Sequence, residues 1–189
     1  MGIERLLVIG GTGFIGRNLV VKSKDLGYSV TVLSLNNPSN ESKLNEVCYI
    51  QCDIRSFDDL QQKLTENSFD YVINLGGYVN HSSFKNGGSI VIEAHFLGVL
   101  NILKIIDWKA LKRFVQIGSS DEYGNSPAPQ NEQTPGSAIS PYSFGKLAVT
   151  NLLEMLFQTE KFPMVVIRLF LVYGPGQNSD RFFPIFKHT

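Results

Sequence analysis

The feature that most constrains this chain is an apolar run, residues 6–9, that ends in three glycines spaced three residues apart. Gly10, Gly13 and Gly16 are followed by a helical pattern of apolar residues. A buried strand that continues into a helix through such a turn presents backbone N–H groups that bind phosphate. Glycine allows the tight turn at Gly10, close approach to phosphate at Gly13 and close helix packing at Gly16. The stretch therefore predicts a dinucleotide site in an α/β fold.

The composition excludes several other classes of protein. At 189 residues, with 43% hydrophobic and 18% charged residues, the chain suits one globular domain. Seventeen basic residues balance seventeen acidic ones, so we expect no nucleic-acid or membrane partner. Cys48 and Cys52 are too few and too close for a disulfide framework. No apolar run reaches the roughly 18 residues of a membrane span, and no signal peptide precedes the fold, so we expect a cytoplasmic protein.

Strand and helix patterns alternate along the chain, which predicts a doubly wound parallel sheet. The predicted strands are residues 3–9, 29–33, 47–52, 70–75, 113–118 and 163–170. The predicted helices are 14–26, one that opens at the capping-box Ser56, 89–108 and 141–160. Residues 125–140 lack periodicity and are too long for a simple connection, so we expect a lid or substrate loop.

The sequence GGTGFIG at residues 10–16 resembles the extended short-chain dehydrogenase/reductase family, whose glycines follow GxxGxxG rather than GxGxxG. Four motifs occur in the family's order along the whole chain. The resemblance implies a Rossmann fold with strand order 3-2-1-4-5-6 that binds NAD or NADP over residues 1–189. On the turn it assigns cofactor binding to Gly10, Thr12, Gly13, Phe14, Ile15 and Gly16.

The resemblance also assigns cofactor contacts after the next strands. The family has an acidic residue for the adenosine ribose after the second strand, where this chain has Ser34. The missing charge slightly favours NADP, although no arginine follows Ser34 closely. Asp53 and Ile54 resemble the pair at the adenine, while an Asp that caps a loop is the alternative. The small-residue corner beside the cofactor corresponds to Leu75, Gly76 and Gly77.

Tyr142 and Lys146 form a YxxxK pattern on a predicted helix that begins after Ser140. This spacing places a phenol and an ammonium one turn apart on the same helix face. A nearby cation favours the phenolate and brings the pKa of a tyrosine toward working pH, as proton transfer requires. The pair follows a strand that ends at the sheet edge where doubly wound folds bind ligands. We expect Tyr142 to be catalytic and Lys146 also to bind the nicotinamide ribose.

Ser119 and Ser120 complete the predicted catalytic group. The family places a Ser or Thr in an SS-x-x-x-YG setting, where it donates to the substrate oxygen during hydride transfer. This chain has one residue fewer before Tyr123, so which of the two serines matches stays open. Serines that only cap the turn are the alternative.

Two further segments bear on the reaction type. Asp121 and Glu122 resemble the acid and base of nucleotide-sugar 4,6-dehydratases, although the shortened segment breaks that pattern. Two solvated loop carboxylates are the alternative. The segment that begins at Arg168 is similar to the family's RxFNxYGPGQ, with Leu171 in place of the substrate-contacting Asn. We interpret Arg168 as an anchor of the strand end, with a contact to the phosphates as the alternative.

The helix over 89–108 is apolar around much of its circumference, and one apolar stripe is enough to cover the sheet. The resemblance implies that the second stripe joins the 141–160 helix in a homodimer. His95 stands where the family often has Asn, and we interpret it as a packed or hydrogen-bonding residue. His81 and His188 carry no signal, so we expect no metal site.

The resemblance implies an NAD(P)-dependent enzyme that acts on a nucleotide sugar. We prefer a 4-keto reductase, with a 4-epimerase or 4,6-dehydratase as alternatives and a non-catalytic cofactor-binding protein as a different class. Family members continue for roughly another hundred residues, which form a substrate-binding part within the usual size of a domain extension. We therefore expect this chain to be a fragment that binds cofactor but holds nucleotide sugar weakly. The apolar residues left without cover would be Phe182, Phe183, Ile185 and Phe186.

Overall fold

Residues 2–177, which the computed structural model describes, form one six-stranded parallel sheet in the order β3-β2-β1-β4-β5-β6. This confirms the predicted doubly wound α/β fold and its strand order. The strands are β1 (Arg5–Ile9), β2 (Ser29–Ser34), β3 (Val47–Gln51), β4 (Tyr71–Asn74), β5 (Arg113–Ser119) and β6 (Met164–Leu169). The order reverses between β1 and β4, so the carboxyl ends of these strands form the crevice in which such folds bind ligands.

The helices begin where the sequence places caps. Ser56 accepts a hydrogen bond from the Asp59 amide at the start of the second helix, and Ser140 accepts one from the Ser143 amide at the start of the last. Gly27 follows the first helix at φ 87°, a conformation that favours glycine. The helices are α1 (Phe14–Asp25), α2 (Phe57–Lys63), α3 (Gly88–Ile92), α4 (Gly98–Ile105) and α5 (Pro141–Glu160).

The predicted helix over 89–108 differs from the structure in two ways. A π-helical turn, Glu93–Leu97, separates α3 from α4, and the helix ends at Ile105 because Ile106 is extended. The indole of Trp108 donates to the Leu103 carbonyl at 2.8 Å and folds the chain back onto the helix end. The spacing of apolar residues predicts neither the π-helical turn nor the end of the helix at Ile105, because both depend on tertiary packing.

Alternating side chains of β1 divide the core into two layers. Leu7 and Ile9 lie in a cluster with residues of α2, α4 and α5, whereas Leu6 and Val8 lie in a cluster with Val20 of α1. Because successive strand residues point to opposite faces, helices cover both faces of the sheet. With both faces covered, β1 and β4 are the central strands, and the candidate site residues lie at the carboxyl ends of the strands.

The expectation that no stretch reaches the length of a membrane span needs correction. Within residues 2–177, the helical stretch Gly88–Ile105 is the one that is long and apolar enough to cross a bilayer, with 18 residues and a mean hydropathy of 1.5. Half of this window is buried inside the fold. Its α3 segment and π-helical turn pack on α5, which is the environment of a core helix.

Candidate active and cofactor site

The glycine-rich turn brings its backbone close to two neighbouring strands. Gly10 has φ 77° and donates from its amide to the Leu33 carbonyl at 2.7 Å. A Cβ on Gly16 would lie 2.3 Å from the Gly10 carbonyl oxygen, so only glycine lets α1 approach the turn. A Cβ on Gly13 would meet only that same oxygen, at 3.3 Å, which leaves space in front of the helix N-terminus.

No side-chain hydrogen bond from the described residues caps the N-terminus of α1, and its first turn has no acidic residue. The amides of this turn, which include Phe14 and Ile15, are therefore the donors that a pyrophosphate requires. The residues present fit the NAD or NADP that the turn predicts. Contact of each predicted turn residue with the cofactor stays a prediction.

Ser34 lies at the carboxyl end of β2 and faces the glycine-rich turn. It is buried, and its hydroxyl accepts a hydrogen bond from the Thr12 amide at 3.4 Å. Next to Thr12 is a cavity of about 160 Å³ that is also lined by Arg17, Pro38 and Ser42. Arg17 is the one charged residue in this lining. The sequence around Ser34 does not point to Arg17, because Arg17 lies on α1, before Ser34 in the chain.

Asp53 lies beyond β3 in a tightly bonded turn. Its carboxylate accepts from the Arg55 guanidinium at 2.6 Å and from the Arg55 amide at 3.0 Å, and these bonds hold the pKa of Asp53 below its usual range. The side chain of Asn101 donates to the Ile54 carbonyl at 2.9 Å and fixes the turn against α4. An adenine amine would therefore share Asp53 with Arg55. The predicted adenine contacts of Asp53 and Ile54 stay predictions.

The corner after β4 contains glycines because protein atoms fill the space of their side chains. Leu75 donates to the Ile9 carbonyl at 2.9 Å, and Gly76 to the side chain of Asn74 at 2.9 Å. Gly77 has φ 101°, and a Cβ there would lie 2.1 Å from the ring of His95. Glycine is therefore required at position 77 by packing against His95, which the sequence did not indicate. The cofactor contacts of Leu75, Gly76 and Gly77 stay predictions.

Tyr142 and Lys146 lie one turn apart on α5, and both side chains are buried. Lys146 donates from Nζ to the Ile117 carbonyl at 2.8 Å, which places its ammonium beside the end of β5. Burial lowers the pKa of Lys146 from 10.5 to about 8, although Glu122 opposes the shift. The structure therefore places the predicted phenol one helical turn from a buried lysine whose pKa is lowered.

Two histidine rings flank Tyr142 in edge-on contact. The ring centroid of His95 lies 5.3 Å from that of Tyr142, and the centroid of His81 lies 5.4 Å from it. His95 is buried and contacts the Tyr78 carbonyl at 3.2 Å, which confirms its interpretation as a packed, hydrogen-bonding residue. Burial lowers the pKa of His95 to about 3, so the ring is neutral at working pH. His81 also lines a cavity, which the sequence does not indicate, because a lone His in a polar loop gives no pattern.

The two serines after β5 have different surroundings. Ser119 is buried, and its hydroxyl accepts from the Asp121 amide at 3.2 Å as the cap of the 3₁₀ turn Ser120–Tyr123. Ser120 lines a cavity of about 480 Å³ together with His81 and Asp121. Ser119 thus has the capping role that was the alternative for both serines, while Ser120 borders open space. The other residues that line this cavity are Gly124, Gln130, Ile139, Ser140, Ser143 and Phe170.

Glu122 is neither a solvated loop carboxylate nor free to act as a base, which corrects one of the alternatives above. The residue is fully buried. Its carboxylate accepts from the Ser119 amide at 2.8 Å, the Thr150 hydroxyl at 2.8 Å and the Arg168 guanidinium at 2.9 Å. The Arg168 guanidinium also lies 5.0 Å from the centre of the Tyr123 ring. Arg168 is confirmed as an anchor, because these contacts join β6 to the end of β5.

The loop predicted over 125–140 has no regular helix or strand and borders the larger cavity. Ser137 donates to the Glu122 carbonyl at 2.8 Å, which ties the loop to the 3₁₀ turn, and Gln130 and Ile139 line the cavity. Among residues 2–177 no group of three or more His, Cys, Asp or Glu could hold a metal ion. His188 and the apolar residues Phe182, Phe183, Ile185 and Phe186 lie outside the described residues.

Comparisons with known proteins agree with this geometry. The chain is 24% identical to the dTDP-D-glucose 4,6-dehydratase of Dictyostelium discoideum, over 97% of this chain and 47% of that protein. It is 24% identical to a UDP-glucose 4-epimerase of Arabidopsis thaliana, over 90% of this chain and 53% of that protein. The chain thus spans about half the length of the curated relatives it matches.

Solved structures and a family model extend the comparison. The structure of Thermus thermophilus UDP-glucose 4-epimerase in complex with NAD superposes with a TM-score of 0.79 at 27% identity, over 93% of this chain and 58% of that one. Residues 6–187 match the model of the NAD dependent epimerase/dehydratase family. This match covers nearly all of the chain and confirms the resemblance drawn from its motifs. The chain belongs to the NAD-dependent epimerase/dehydratase family.

Proposed function

We propose that the protein that contains this chain is an NAD(P)-dependent reductase of a 4-keto nucleotide sugar. The observation that carries the proposal is the placement of Tyr142 and the buried Lys146 one turn apart on α5, where Tyr142 contacts His81, which lines a cavity of about 480 Å³ with Ser120. The relatives named above act, by their names, on nucleotide-linked glucose. A reductase needs a hydride source at the carbonyl carbon and a proton donor at the carbonyl oxygen, and this arrangement supplies the donor.

Each of the three side chains has a separate task in the proposed reaction. Tyr142 gives its proton to the carbonyl oxygen as the carbonyl carbon is reduced, and Ser120 donates a hydrogen bond to that same oxygen. Lys146 supplies positive charge near the phenol while its ammonium is protonated. The cofactor, when bound, supplies the hydride. Ser120 is the serine of this proposal because the Ser119 hydroxyl caps the 3₁₀ turn.

The cavity beside Ser120 has the chemistry of a sugar site. The polar residues Ser140 and Gln130 line it, as does Phe170, which is 60% exposed. Sugars combine hydroxyls with apolar C–H faces, so polar groups beside an exposed ring suit them. A volume of about 480 Å³ lies within the usual range for small-molecule sites.

A specific contact favours reduction over 4,6-dehydration. A dehydratase of the resembled pattern needs Asp121 and Glu122 as acid and base, but Thr150 and Arg168 bind the carboxylate of Glu122. A 4-epimerase is the second candidate, since solved relatives of this fold carry that name. Net oxidation of cofactor separates the two, because an epimerase returns the hydride to its substrate. A cofactor-binding protein without turnover would give neither result.

The test of the function is hydride transfer from NADPH to a panel of 4-keto nucleotide sugars. Tyr142→Phe removes the proton donor and is expected to lower kcat roughly 10²-fold while leaving cofactor affinity unchanged. The matched control is Tyr28→Phe, because Tyr28 packs edge-on against Tyr71 away from the site. Near-normal turnover in the Tyr142 variant would overturn the assignment.

We propose NADP as the preferred cofactor. Ser34 places no carboxylate beside the Thr12 amide, and Arg17 supplies positive charge to the adjoining cavity of about 160 Å³. A 2′-phosphate needs a cation and tolerates no carboxylate nearby. Arg17 also donates to the Gly176 carbonyl at 2.9 Å, so phosphate binding would compete with one exposed hydrogen bond.

Calorimetric titration of both cofactors tests this preference. Ser34→Asp and Arg17→Gln are each expected to weaken NADP binding roughly tenfold, or about 1.4 kcal/mol. NAD binding should stay within a factor of two or three, or a few tenths of a kcal/mol. Arg113→Gln is the control, because Arg113 is exposed at the opposite edge of the sheet. An unchanged ratio of the NADP and NAD affinities would mean that neither residue contacts the 2′-position of the adenosine ribose.

We further propose a homodimer that joins α5 and the α3–α4 stretch of two copies. Phe144 and Met155 lie three turns apart on one face of α5 and are 53% and 45% exposed. Ile90 and Leu97 are exposed on the neighbouring helical stretch, which packs on α5. Apolar side chains that share one face are what a four-helix interface buries.

Two free thiols, Cys48 and Cys52, support a cytoplasmic location for this protein.

A further inference from the structure

His81 occupies a position at the candidate active site to which nothing above assigns a task. It lies in the loop between β4 and the 3₁₀ turn Phe84–Asn86, and its ring meets the Tyr142 ring at an interplanar angle of 70°. Its Nδ1 lies 3.9 Å from Oδ2 of Asp121. His81, Asp121 and Ser120 line the same cavity of about 480 Å³. The loop thus brings a second proton-transfer group to the place where substrate would lie.

The two histidines around Tyr142 are not equivalent. His95 is 3% exposed, contacts the Tyr78 carbonyl through Nε2 and stays neutral because burial lowers its pKa to about 3. The His81 side chain is 57% exposed and borders open space. Of these two histidines, only His81 is placed to exchange a proton with a molecule in the cavity. His95 instead packs against one side of the Tyr142 ring.

Asp121 gives His81 the partner that an acid/base histidine needs. A carboxylate that faces one ring nitrogen fixes the tautomer and stabilises the imidazolium, which leaves the other nitrogen for the substrate. A separation of 3.9 Å exceeds a hydrogen bond, but such contacts tighten in ligand complexes. The described groups that face His81 are Asp121 from the 3₁₀ turn and Tyr142 from α5.

The neighbouring carboxylate cannot take this role. Glu122 is fully buried, and its oxygens accept from Ser119, Thr150 and Arg168. Asp121 is 41% exposed at its side chain and reaches the cavity. Of the two adjacent acids, only Asp121 can therefore act with a group that touches substrate.

We propose that His81, oriented by Asp121, is a further catalytic residue that removes and returns the proton on the carbon next to the substrate carbonyl. The imidazole lone pair takes the C–H proton, and the C–H electron pair forms the C=C bond of an enol. The carbonyl π pair moves to the oxygen, which receives the proton of Tyr142. The reverse steps restore the ketone, so no oxidant or reductant is consumed. The substrate class is a nucleotide-linked 4-keto hexose with a C–H bond beside the ketone.

This inference rests on the proposed function, because it places the same 4-keto sugar in the same cavity. The experiment incubates the protein with NADP⁺ and dTDP-4-keto-6-deoxyglucose in deuterated buffer, so that no hydride donor is present. Mass spectrometry measures deuterium entry into the recovered sugar, and a sample without protein gives the background. A parallel assay with NADPH measures hydride transfer to the same sugar.

Wild-type protein is expected to exchange deuterium well above background. His81→Gln is expected to lower that exchange roughly 10²-fold, as for the loss of a positioned base, and at least tenfold more than it lowers hydride transfer. Asp121→Asn is expected to lower exchange roughly tenfold and to leave hydride transfer within a factor of two or three, since Asp121 acts through His81. Glu132→Gln is the matched control for the carboxylate, because Glu132 is exposed on the loop beyond the cavity lining. Unchanged NADP⁺ affinity shows that each variant is folded.

The outcomes separate the inference from the function beneath it. Hydride transfer without deuterium exchange, or exchange that survives His81→Gln, overturns the inference and leaves the reductase standing. Exchange that requires His81 without any hydride transfer supports the inference and overturns the reductase. Absence of both activities with the whole panel of 4-keto sugars overturns both together.

Discussion

At the scale of single residues, Lys146 combines a proposed catalytic role with a cost to folding. Burial lowers its pKa from 10.5 to about 8, which corresponds to roughly 3 kcal/mol against the charged form. Lys146→Met should therefore stabilise the protein by about 1–3 kcal/mol at pH 7 while it abolishes turnover. The Ile117 carbonyl keeps a partner in the variant, because Gln116 also donates to it at 2.9 Å. Chemical denaturation at pH 7 measures this difference.

The pH dependence of that difference has a definite sign. Between pH 8 and 10.5 the unfolded chain binds more protons at Lys146 than the folded chain does, so wild-type stability rises with pH. The advantage of Lys146→Met should thus shrink across this window and vanish near pH 10.5. Lys43→Met, at an exposed lysine, should show no such trend. A constant advantage at every pH would mean that the ammonium of Lys146 costs nothing to bury.

The residues that form the candidate site could be predicted only in part from the sequence. The YxxxK spacing predicts Tyr142 and Lys146 one turn apart on a helix, which α5 confirms, while their catalytic roles stay predictions. His81 carries no local pattern, because its surroundings come from segments remote in sequence, whereas the cap at Ser119 is a local contact with the Asp121 amide. The full burial of Glu122 was also beyond reach, since Arg168 comes from a strand 46 residues away.

At the scale of elements, the π-helical turn between α3 and α4 connects the helical stretch to the loop after β4. It presents His95 to the space where Gly77 has no side chain, and a Cβ on Gly77 would lie 2.1 Å from the His95 ring. Gly77→Ala should therefore destabilise the protein by roughly 3 kcal/mol or more, the sum of a left-handed conformation and overpacking. Denaturant titration measures the loss.

Gly87 provides a matched control for that prediction. It has the same φ of 101° as Gly77, but a Cβ on it would meet nothing within 4 Å. Gly87→Ala should cost only about 1–2 kcal/mol, the conformational part alone. Equal losses at Gly77 and Gly87 would show that the contact with His95 carries no energy. The comparison separates backbone strain from the fit between the π-helical turn and the loop.

Element types were more predictable than element details. The periodic stretches gave every strand of the sheet within about two residues, because apolar spacing follows from burial on one or both faces. The π-helical turn and the early end of α4 depend on the contacts of His95 and Trp108, so no local sequence pattern predicts them. The cap at Ser140 was predictable because the capping hydrogen bond is local.

At the scale of the whole molecule, the exposed faces of α5 give the proposed dimer a direct test. Phe144→Glu places a carboxylate on the face that also carries Met155, and a buried unpaired charge would oppose association. We expect the dissociation constant of the dimer to rise roughly 10²-fold, or about 2.7 kcal/mol. Sedimentation analysis over a concentration series measures this shift, and retained NADP binding shows that the fold survives.

Phe157 supplies the control on the same helix. It is 52% exposed, nearly the same as Phe144, but thirteen residues along α5 it lies on a different face and contacts the Lys161 ammonium. Phe157→Glu should leave the dissociation constant within a factor of two or three. If both variants dissociate equally, the loss follows from added charge rather than from an interface at Phe144. A wild-type protein that stays monomeric across the concentration series would overturn the dimer itself.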